Sequence, residues 1–338
     1  MSAQIPDRPM VTVERILEIQ QIEGADNIEC ASVKGWHIVV SKKDNFKSGD
    51  LCGYAQIDSI FPTEFESTAF LESKPLKTRK IRGVYSQGLV FPLEWVSQRT
   101  SIENLTEGQD LTEIIGVLKY TPPEEFTSHG TAVCDADKFP TDLLPKTDEP
   151  RIQNAPYILE RIKEIEIFVT RKEDGCSATY LIDLQGNFLR CSRNLIVRER
   201  TKNTAHYYDA VPDIEEILRQ NPKLAFQGEI VGPGINSNRL KLNTLEFRVF
   251  NIFNLETHSY INADQMFEIC SKLKLATVPL LYQGVPDERF QSVKSCLTYT
   301  DTLDYCKNSA AEGIVIRNLT HTISFKVISN RYLMKNKL

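Results

Sequence analysis

Ile165-Glu166-Ile167-Phe168-Val169-Thr170-Arg171-Lys172-Glu173-Asp174-Gly175 is the stretch on which the fold turns. Its first part is rich in β-branched and aromatic residues, the composition of a compact strand, and it ends in a lysine followed by a charged turn. A strand holds that single amine rigidly, Gly175 permits a tight turn, and Asp174 supplies oxygen ligands for a sugar or a hydrated metal. Taken alone, the four residues from Lys172 to Gly175 read equally well as a charged surface turn capped by Asp174.

On the carboxyl side, further strands are expected at Ala178 to Ile182, Leu224 to Val231, Phe247 to Phe253, Gly313 to Ile316 and Ile323 to Val327. Helices are expected through Ile214 to Gln220 and near Ala263 to Leu273. On the amino side, residues 11 to 60 carry short β-rich runs such as Trp36-His37-Ile38-Val39-Val40, separated by turns around Gly24, Gly35 and Gly49-Asp50. That pattern is a small barrel or meander. A basic segment, Lys77-Thr78-Arg79-Lys80-Ile81-Arg82-Gly83, follows it.

Between Tyr120 and Pro156 the chain is punctuated by Pro122-Pro123, Pro140, Pro145, Pro150 and Pro156 and has few apolar periods. The domain junction falls here, and such a linker can still order against a domain surface. The expected division is 1–120, a first domain; 121–150, a linker; and 151–338, a second domain. The class is α+β, with polar groups repeatedly placed at strand ends.

The bulk properties set limits. A length of 338 residues suits two domains, and 41% hydrophobic with 25% charged residues is ordinary for a globular protein. No apolar run is long enough to cross a bilayer. The 40 Lys and Arg against 45 Asp and Glu leave a net charge of −5, so any polyanion site must be local. Eight scattered cysteines without a Cys-x-x-Cys pair favour reduced packing residues. The start, Met1 to Asp7, lacks the order of a secretory signal, and an intracellular setting, cytoplasmic or nuclear, is expected. His37, His129, His206, His258 and His321 form no zinc spacing, and Gly232-Pro233-Gly234 lacks the lysine and hydroxyl residue of a P-loop.

The force of the opening stretch comes from its ordered company: Ser192-Arg193-Asn194, Gly228-Glu229-Ile230-Val231-Gly232-Pro233-Gly234, Phe247-Arg248-Val249-Phe250-Asn251-Ile252, Glu312-Gly313-Ile314-Val315-Ile316-Arg317 and Ser324-Phe325-Lys326-Val327. Together these resemble the covalent nucleotidyltransferases that include ATP-dependent ligases and messenger-RNA capping enzymes. Within that superfamily the chain most resembles the Naegleria-type RNA ligases, over essentially its whole length. The resemblance implies an amino-terminal OB-type β-barrel domain and a carboxyl-terminal adenylyltransferase, an ATP-grasp-like ligase domain of antiparallel sheets and helices.

By resemblance, Lys172 is the nucleophile that takes AMP from ATP, and Glu173, Asp174, Arg193, Glu229, Phe247, Phe250, Glu312 and Lys326 bind the nucleotide. Asp174, Glu229 and Glu312 are the implied contacts to Mg²⁺ or Mn²⁺, in part through water, as suits hard oxygen ligands. The guanidinium of Arg193 suits ribose or RNA phosphate, although Arg190, Arg198 and Arg200 lie close in sequence. An odd separation on an alternating strand puts Phe247 and Phe250 on opposite faces, so one stacks on adenine and the other packs the sheet, with Phe247 preferred by motif position. Relatives carry a Lys-x-Lys pair where this chain has Lys326 and Ile328, which leaves the second phosphate contact to be found. Nearby Lys326 and a bound divalent cation are expected to favour a neutral Lys172.

The implied reaction joins RNA ends bearing a 3′-hydroxyl and a 5′-phosphate, as in nicked-duplex repair, through lysyl-AMP and RNA-adenylate; no membrane partner is expected. A DNA ligase or a ligase scaffold that has lost catalysis are the alternatives. Two basic regions favour RNA contact over merely solvated charge: Lys77, Arg79, Lys80 and Arg82, and the stretch Arg317 to Leu338, which has Lys326, Arg331, Lys335 and Lys337 and no acid.

Overall fold

The computed structural model describes residues 2–4, 8–121 and 138–336. Within the expected linker, residues 122–137 therefore lie outside the described residues, as do His129, Lys337 and most of the amino-terminal segment read for a signal. The described chain forms two compact units. One comprises residues 2–4, 8–121, Gln153–Pro156 and Leu333–Asn336; the other comprises residues 138–152 and Tyr157–Tyr332.

The first unit is built on a five-stranded antiparallel sheet ordered Trp36–Ser41, Ile28–Val33, Val11–Gln21, Leu51–Ala55 and Leu89–Phe91. The long strand Val11–Gln21 serves two neighbours: Val11 to Arg15 pair with Leu51–Ala55, and Ile16 to Gln21 pair with Ile28–Val33. A register shift between Ile16 and Glu18 separates the halves and leaves Leu17 exposed. One extra residue in a strand bends it and increases its twist, which curls the sheet into the barrel-like OB form. Met10, Val11, Val13, Phe61 and Phe91 fill one part of the interior, and Ile16, Val33, Trp36, Ile38 and Tyr54 another. Glu14 is buried there and is satisfied by Thr12 Oγ1, which donates at 2.6 Å, and by Lys34 Nζ at 2.5 Å. Residues 153–156 belong to this unit because Gly35 N–H donates to Gln153 O and Trp36 Nε1 to Asn154 Oδ1 at 2.7 Å.

Among the described residues the second unit has two larger antiparallel sheets and a short hairpin, Asp304–Cys306 paired with Ser309–Ala310. The four-stranded one runs Leu280–Gly284, Ile167–Lys172, Gly313–Asn318 and Ser324–Ile328. The five-stranded one runs Phe188–Cys191, Cys176–Ile182, Leu224–Val231, Glu246–Asn254 and Ser259–Tyr260. Tyr180, Phe226, Phe247, Val249 and Ile252 form a core together with residues of the helices Ile214–Gln220 and Ala263–Leu273. The latter helix buries Ala263, Met266 and Cys270, a 3–4 spacing along one face, and begins where the Asn262 side chain accepts from Asp264 N–H. A helix with no counterpart in the sequence reading, Val293–Thr300, is fixed by a Ser292–Ser295 capping box.

Residues 138–150, assigned to the linker from sequence, are integral to this unit. Phe139 and Leu144 are buried with Leu181, Cys191, Ala225 and Phe253, and Lys326 N–H donates to Pro150 O at 2.9 Å. The proline-rich composition rules out regular periods but not packing: two apolar side chains suffice to anchor the segment.

Among the described residues, no helix is long and apolar enough to cross a membrane. Seven cysteines are described and all are free.

Candidate active site

Strand Ile167–Lys172 ends on Lys172, and its ladder with Gly313–Asn318 pairs Lys172 with Gly313. That register puts Glu312 beside the amine: Lys172 Nζ donates to Glu312 Oε2 at 2.9 Å. Gly175 is needed here for close approach rather than for a special backbone angle. A Cβ on it would lie 2.2 Å from Ile230 O and 2.7 Å from Glu229 Cγ, so glycine lets Glu229 come in under the turn.

Burial by itself would push the Lys172 ammonium down, but Glu312 and Glu229 outweigh it and hold the amine above the ordinary lysine value. The carboxylates around it thus favour the charged amine in the ligand-free protein, while the expectation of a neutral amine concerns the state with a divalent cation bound. Glu229 shows the converse: burial, and then the nearby Glu312, Asp174 and Glu173 charges, push it up to about 8 against the pull of Lys172. Crowded carboxylates short of positive charge are the chemistry a hard divalent cation relieves. Among the described residues no three His, Cys, Asp or Glu side chains converge as a ready-made metal cage, so an ion here would complete its shell with water and phosphate oxygens.

The remaining sequence-selected residues divide. Asp174 is buried, accepts from Asn236 Nδ2 at 3.0 Å and is ion-paired with Arg239. Asn236 also donates to Gly175 O at 2.9 Å, so the segment after Gly232-Pro233-Gly234 clamps the turn. Glu173 points inward: its side chain is 0% exposed, against 26% for Lys172, and it pairs with Arg171 at 2.8 Å and Arg248 at 3.2 Å. Its carboxylate braces the strands under the site.

Phe247 is a correction to the preference drawn from sequence. It is buried in the apolar core, edge-on to Tyr180 at 4.9 Å. Phe250 is the residue left partly open, with the Arg317 guanidinium 5.8 Å from its ring centroid. The register changes from Gln227 opposite Asn251 to Gly228 opposite Val249, so Phe250 is the extra residue of a bulge, and the alternation of buried and partly open side chains along the strand continues through it.

Lys326 and Arg193 converge on one carboxylate. Lys326 Nζ donates to Asp148 Oδ1 at 3.0 Å, and Arg193 Nη2 lies 3.1 Å from Asp148 Oδ2. Burial pushes Lys326 down, Asp148 opposes this, and the Lys172 charge adds to the fall. Of the neighbouring arginines, Arg190 stacks on Phe188 and Tyr208, while Arg200 pairs with Asp209 at 2.8 Å.

Two residues went unseen in the sequence. Asp148 lies in the proline-punctuated stretch, where no motif marked it. Tyr305 Oη donates to Lys172 O at 2.6 Å and accepts from Glu312 N–H at 3.1 Å, so one hydroxyl ties the amine-bearing strand end to the glutamate that faces it. Its ring lies under Arg171, 5.0 Å from the guanidinium. A tyrosine in a short hairpin carries no local signal of such a role.

A model of an OB-fold domain matches residues 10–93, and a model of the RNA ligase family matches residues 165–335. No curated protein matches the chain. Among solved structures, a lysine-to-alanine variant of Naegleria gruberi RNA ligase with ATP and Mn is 31% identical, with a TM-score of 0.85 over 97% of this chain and 99% of that one. The same ligase with PPi is 32% identical, with a TM-score of 0.84 over 98% and 99%. A lysine-to-methionine variant with AMP and Mn is 30% identical, with a TM-score of 0.84 over 98% and 99%. With an amine at a strand end among carboxylates, an OB-fold unit, and likeness over nearly the whole length of these structures, the chain belongs to the RNA ligase family, as an enzyme of the Naegleria type.

Proposed function

We propose that the chain uses ATP to join an RNA 3′-hydroxyl to an RNA 5′-phosphate, the reaction that repairs a nicked duplex. The observation that carries this reading is the pairing of Lys172 with Glu312 at 2.9 Å in a site where Lys326 and Arg193 are held together by Asp148. It supplies a nucleophile on one side and two phosphate-binding cations on the other. Arg193 then answers the missing second lysine of the final motif.

In the first step Lys172 releases a proton to water, its Nζ bonds to the α-phosphorus of ATP, and the bond to pyrophosphate breaks. In the second, an oxygen of the RNA 5′-phosphate takes the AMP, the N–P bond breaks, and the amine regains a proton. In the third, the 3′-hydroxyl attacks the activated phosphate, gives up its proton, and AMP leaves. Glu229 and Glu312, with Asp174, would hold hydrated Mg²⁺ or Mn²⁺, which when bound neutralises charge on phosphate oxygens. Glu312 meanwhile orients Lys172, and Lys326 and Arg193 exchange Asp148 for substrate phosphate. Phe250 offers its face to adenine.

In this reading residues 1–120 supply the OB-type domain and 151–338, apart from 153–156 and 333–336, the nucleotidyl transfer, with residues 138–150 joined functionally to the latter. Free thiols fit an intracellular setting, cytoplasmic or nuclear.

The test is mass spectrometry of wild-type and Lys172→Ala protein after ATP with Mg²⁺ or Mn²⁺, followed by matched nicked RNA and DNA duplexes with 5′-phosphates. An AMP adduct on wild type alone, consumed as RNA is sealed, is the expected result. No adduct with either metal would defeat the catalytic reading, and preferential sealing of DNA would overturn the substrate.

A further inference from the structure

The first unit carries a two-stranded hairpin, Arg79–Ile81 paired with Val84–Ser86, that the chemistry at Lys172 leaves unused. Its base is tied down. Ser86 Oγ accepts from Val39 N–H at 3.0 Å, Gln87 N–H donates to His37 O at 3.0 Å, and Gln87 Nε2 donates to Thr78 Oγ1 at 3.2 Å. Its tip is not: a Cβ added at Gly83 would meet nothing within 4 Å.

The charge of this finger has one sign. From Ser73 to Leu93 the sequence holds Lys74, Lys77, Arg79, Lys80 and Arg82 and no Asp or Glu. Arg79, Lys80 and Arg82 are exposed, and among the described residues no acidic side chain pairs with any of the three. Lys80 lies across from Tyr85 in the ladder, its Nζ 5.2 Å from the ring centroid, so the ring supports one cation without neutralising it.

The turn supplies an independent observation. Its two central residues, Arg82 and Gly83, have φ of 49° and 85°, the two positive values that a tight two-residue hairpin requires. Asn, Asp or Gly normally occupies the first of these positions, because a longer L side chain is strained there. An arginine at this place sacrifices backbone comfort to put a cation at the outermost point of the finger. Resting on the reading of the chain as an RNA-joining enzyme, the geometry points to residues 79–86 as a rigid finger that grips the phosphate backbone of the RNA substrate through Arg79, Lys80 and Arg82.

Backbone contacts of this kind govern affinity and its salt dependence. Each neutralised phosphate contributes about 0.7 to 0.9 to the slope of log K against log salt, so three at 0.15 M contribute about 100-fold in affinity and one about fivefold. The test compares wild type, the triple variant Arg79→Gln/Lys80→Gln/Arg82→Asn, the single variant Arg82→Asn, and Arg79→Lys/Arg82→Lys. Binding to a nicked RNA duplex is measured without ATP or metal across a salt series, alongside AMP-adduct formation from ATP without RNA and thermal melting. Asn suits the left-handed position, so Arg82→Asn melts no lower than wild type.

The expected result is an unchanged AMP adduct in all variants, RNA affinity reduced about 10- to 100-fold with a slope lowered by about two in the triple variant, about fivefold weaker binding in Arg82→Asn, and near-normal binding in the lysine variant. RNA affinity and slope equal to wild type in the folded Arg82→Asn and triple variants would overturn the finger. An absent AMP adduct in wild type would instead defeat the catalytic reading while leaving the binding comparison intact.

Discussion

Replacing Tyr305 with phenylalanine removes one oxygen and two hydrogen bonds, and the site makes the consequence calculable. The hydroxyl donates to Lys172 O at 2.6 Å and accepts from Glu312 N–H at 3.1 Å, while the ring and its contact with Arg171 are kept. A part-buried backbone group left without its partner costs about 1–3 kcal/mol, so the two together put about 2–6 kcal/mol at stake. Some of this lowers stability, and a melting point a few degrees lower is expected. The rest is the freedom gained by the strand end that carries the nucleophile. If about 1.4–2.7 kcal/mol of it reaches the first transition state, AMP-adduct formation slows about 10- to 100-fold. A single-turnover assay with labelled ATP measures that rate directly. Apparent affinity for ATP should change little, because the hydroxyl touches neither Lys326 nor Arg193, the two cations proposed to meet phosphate. Sealing of pre-adenylated RNA, which needs no attack by Lys172, should keep most of its rate. A variant that melts lower yet forms the adduct at the wild-type rate, or that loses both steps equally, would refute positioning by Tyr305.

Two further outcomes test other parts of the second unit. Burial, and then the charge of Arg317, push His321 down to about 3 against the pull of Glu149, between the rings of Phe168 and Tyr260. The unfolded chain binds a proton there from the ordinary histidine value down to about 3 and the folded chain does not, so stability is lost as pH falls through that window, by up to about 1.4 kcal/mol per pH unit. His321→Phe should flatten this part of the curve in urea titrations between pH 6.5 and 4, and an identical acid slope in the variant would count against it. Phe247→Ala should cost about 3–5 kcal/mol of stability as a core truncation, whereas Phe250→Ala should leave folding nearly intact and raise the ATP concentration needed for half-maximal adduct formation several-fold. The reverse pattern would restore Phe247 as the adenine platform.

What the sequence determined by itself was most of the longer local elements, though not the helix Val293–Thr300, and the identity of the nucleophile candidate. Leu224–Val231 is observed over the span that its apolar run marks, and Ala263–Leu273 over the span marked by its 3–4 spacing, because both signals are written within a few residues. Lys172 was singled out because a charged turn closing a strand, in company with five later motifs, carries a family resemblance that is visible along the chain. The tertiary structure decided what lies opposite what. Alternation put Phe247 and Phe250 on opposite faces, but only the packing showed that Phe247 is the one in the core and Phe250 the one left partly open, and inward pairing with Arg171 and Arg248 took Glu173 away from the surface. Two buried apolar anchors, Phe139 and Leu144, made part of a proline-punctuated segment integral to the catalytic unit. Asp148 reaches Lys326 across 178 positions and Tyr305 reaches Lys172 across 133. Contacts at such separations depend on the register in which distant strands return to one another, which local composition does not encode.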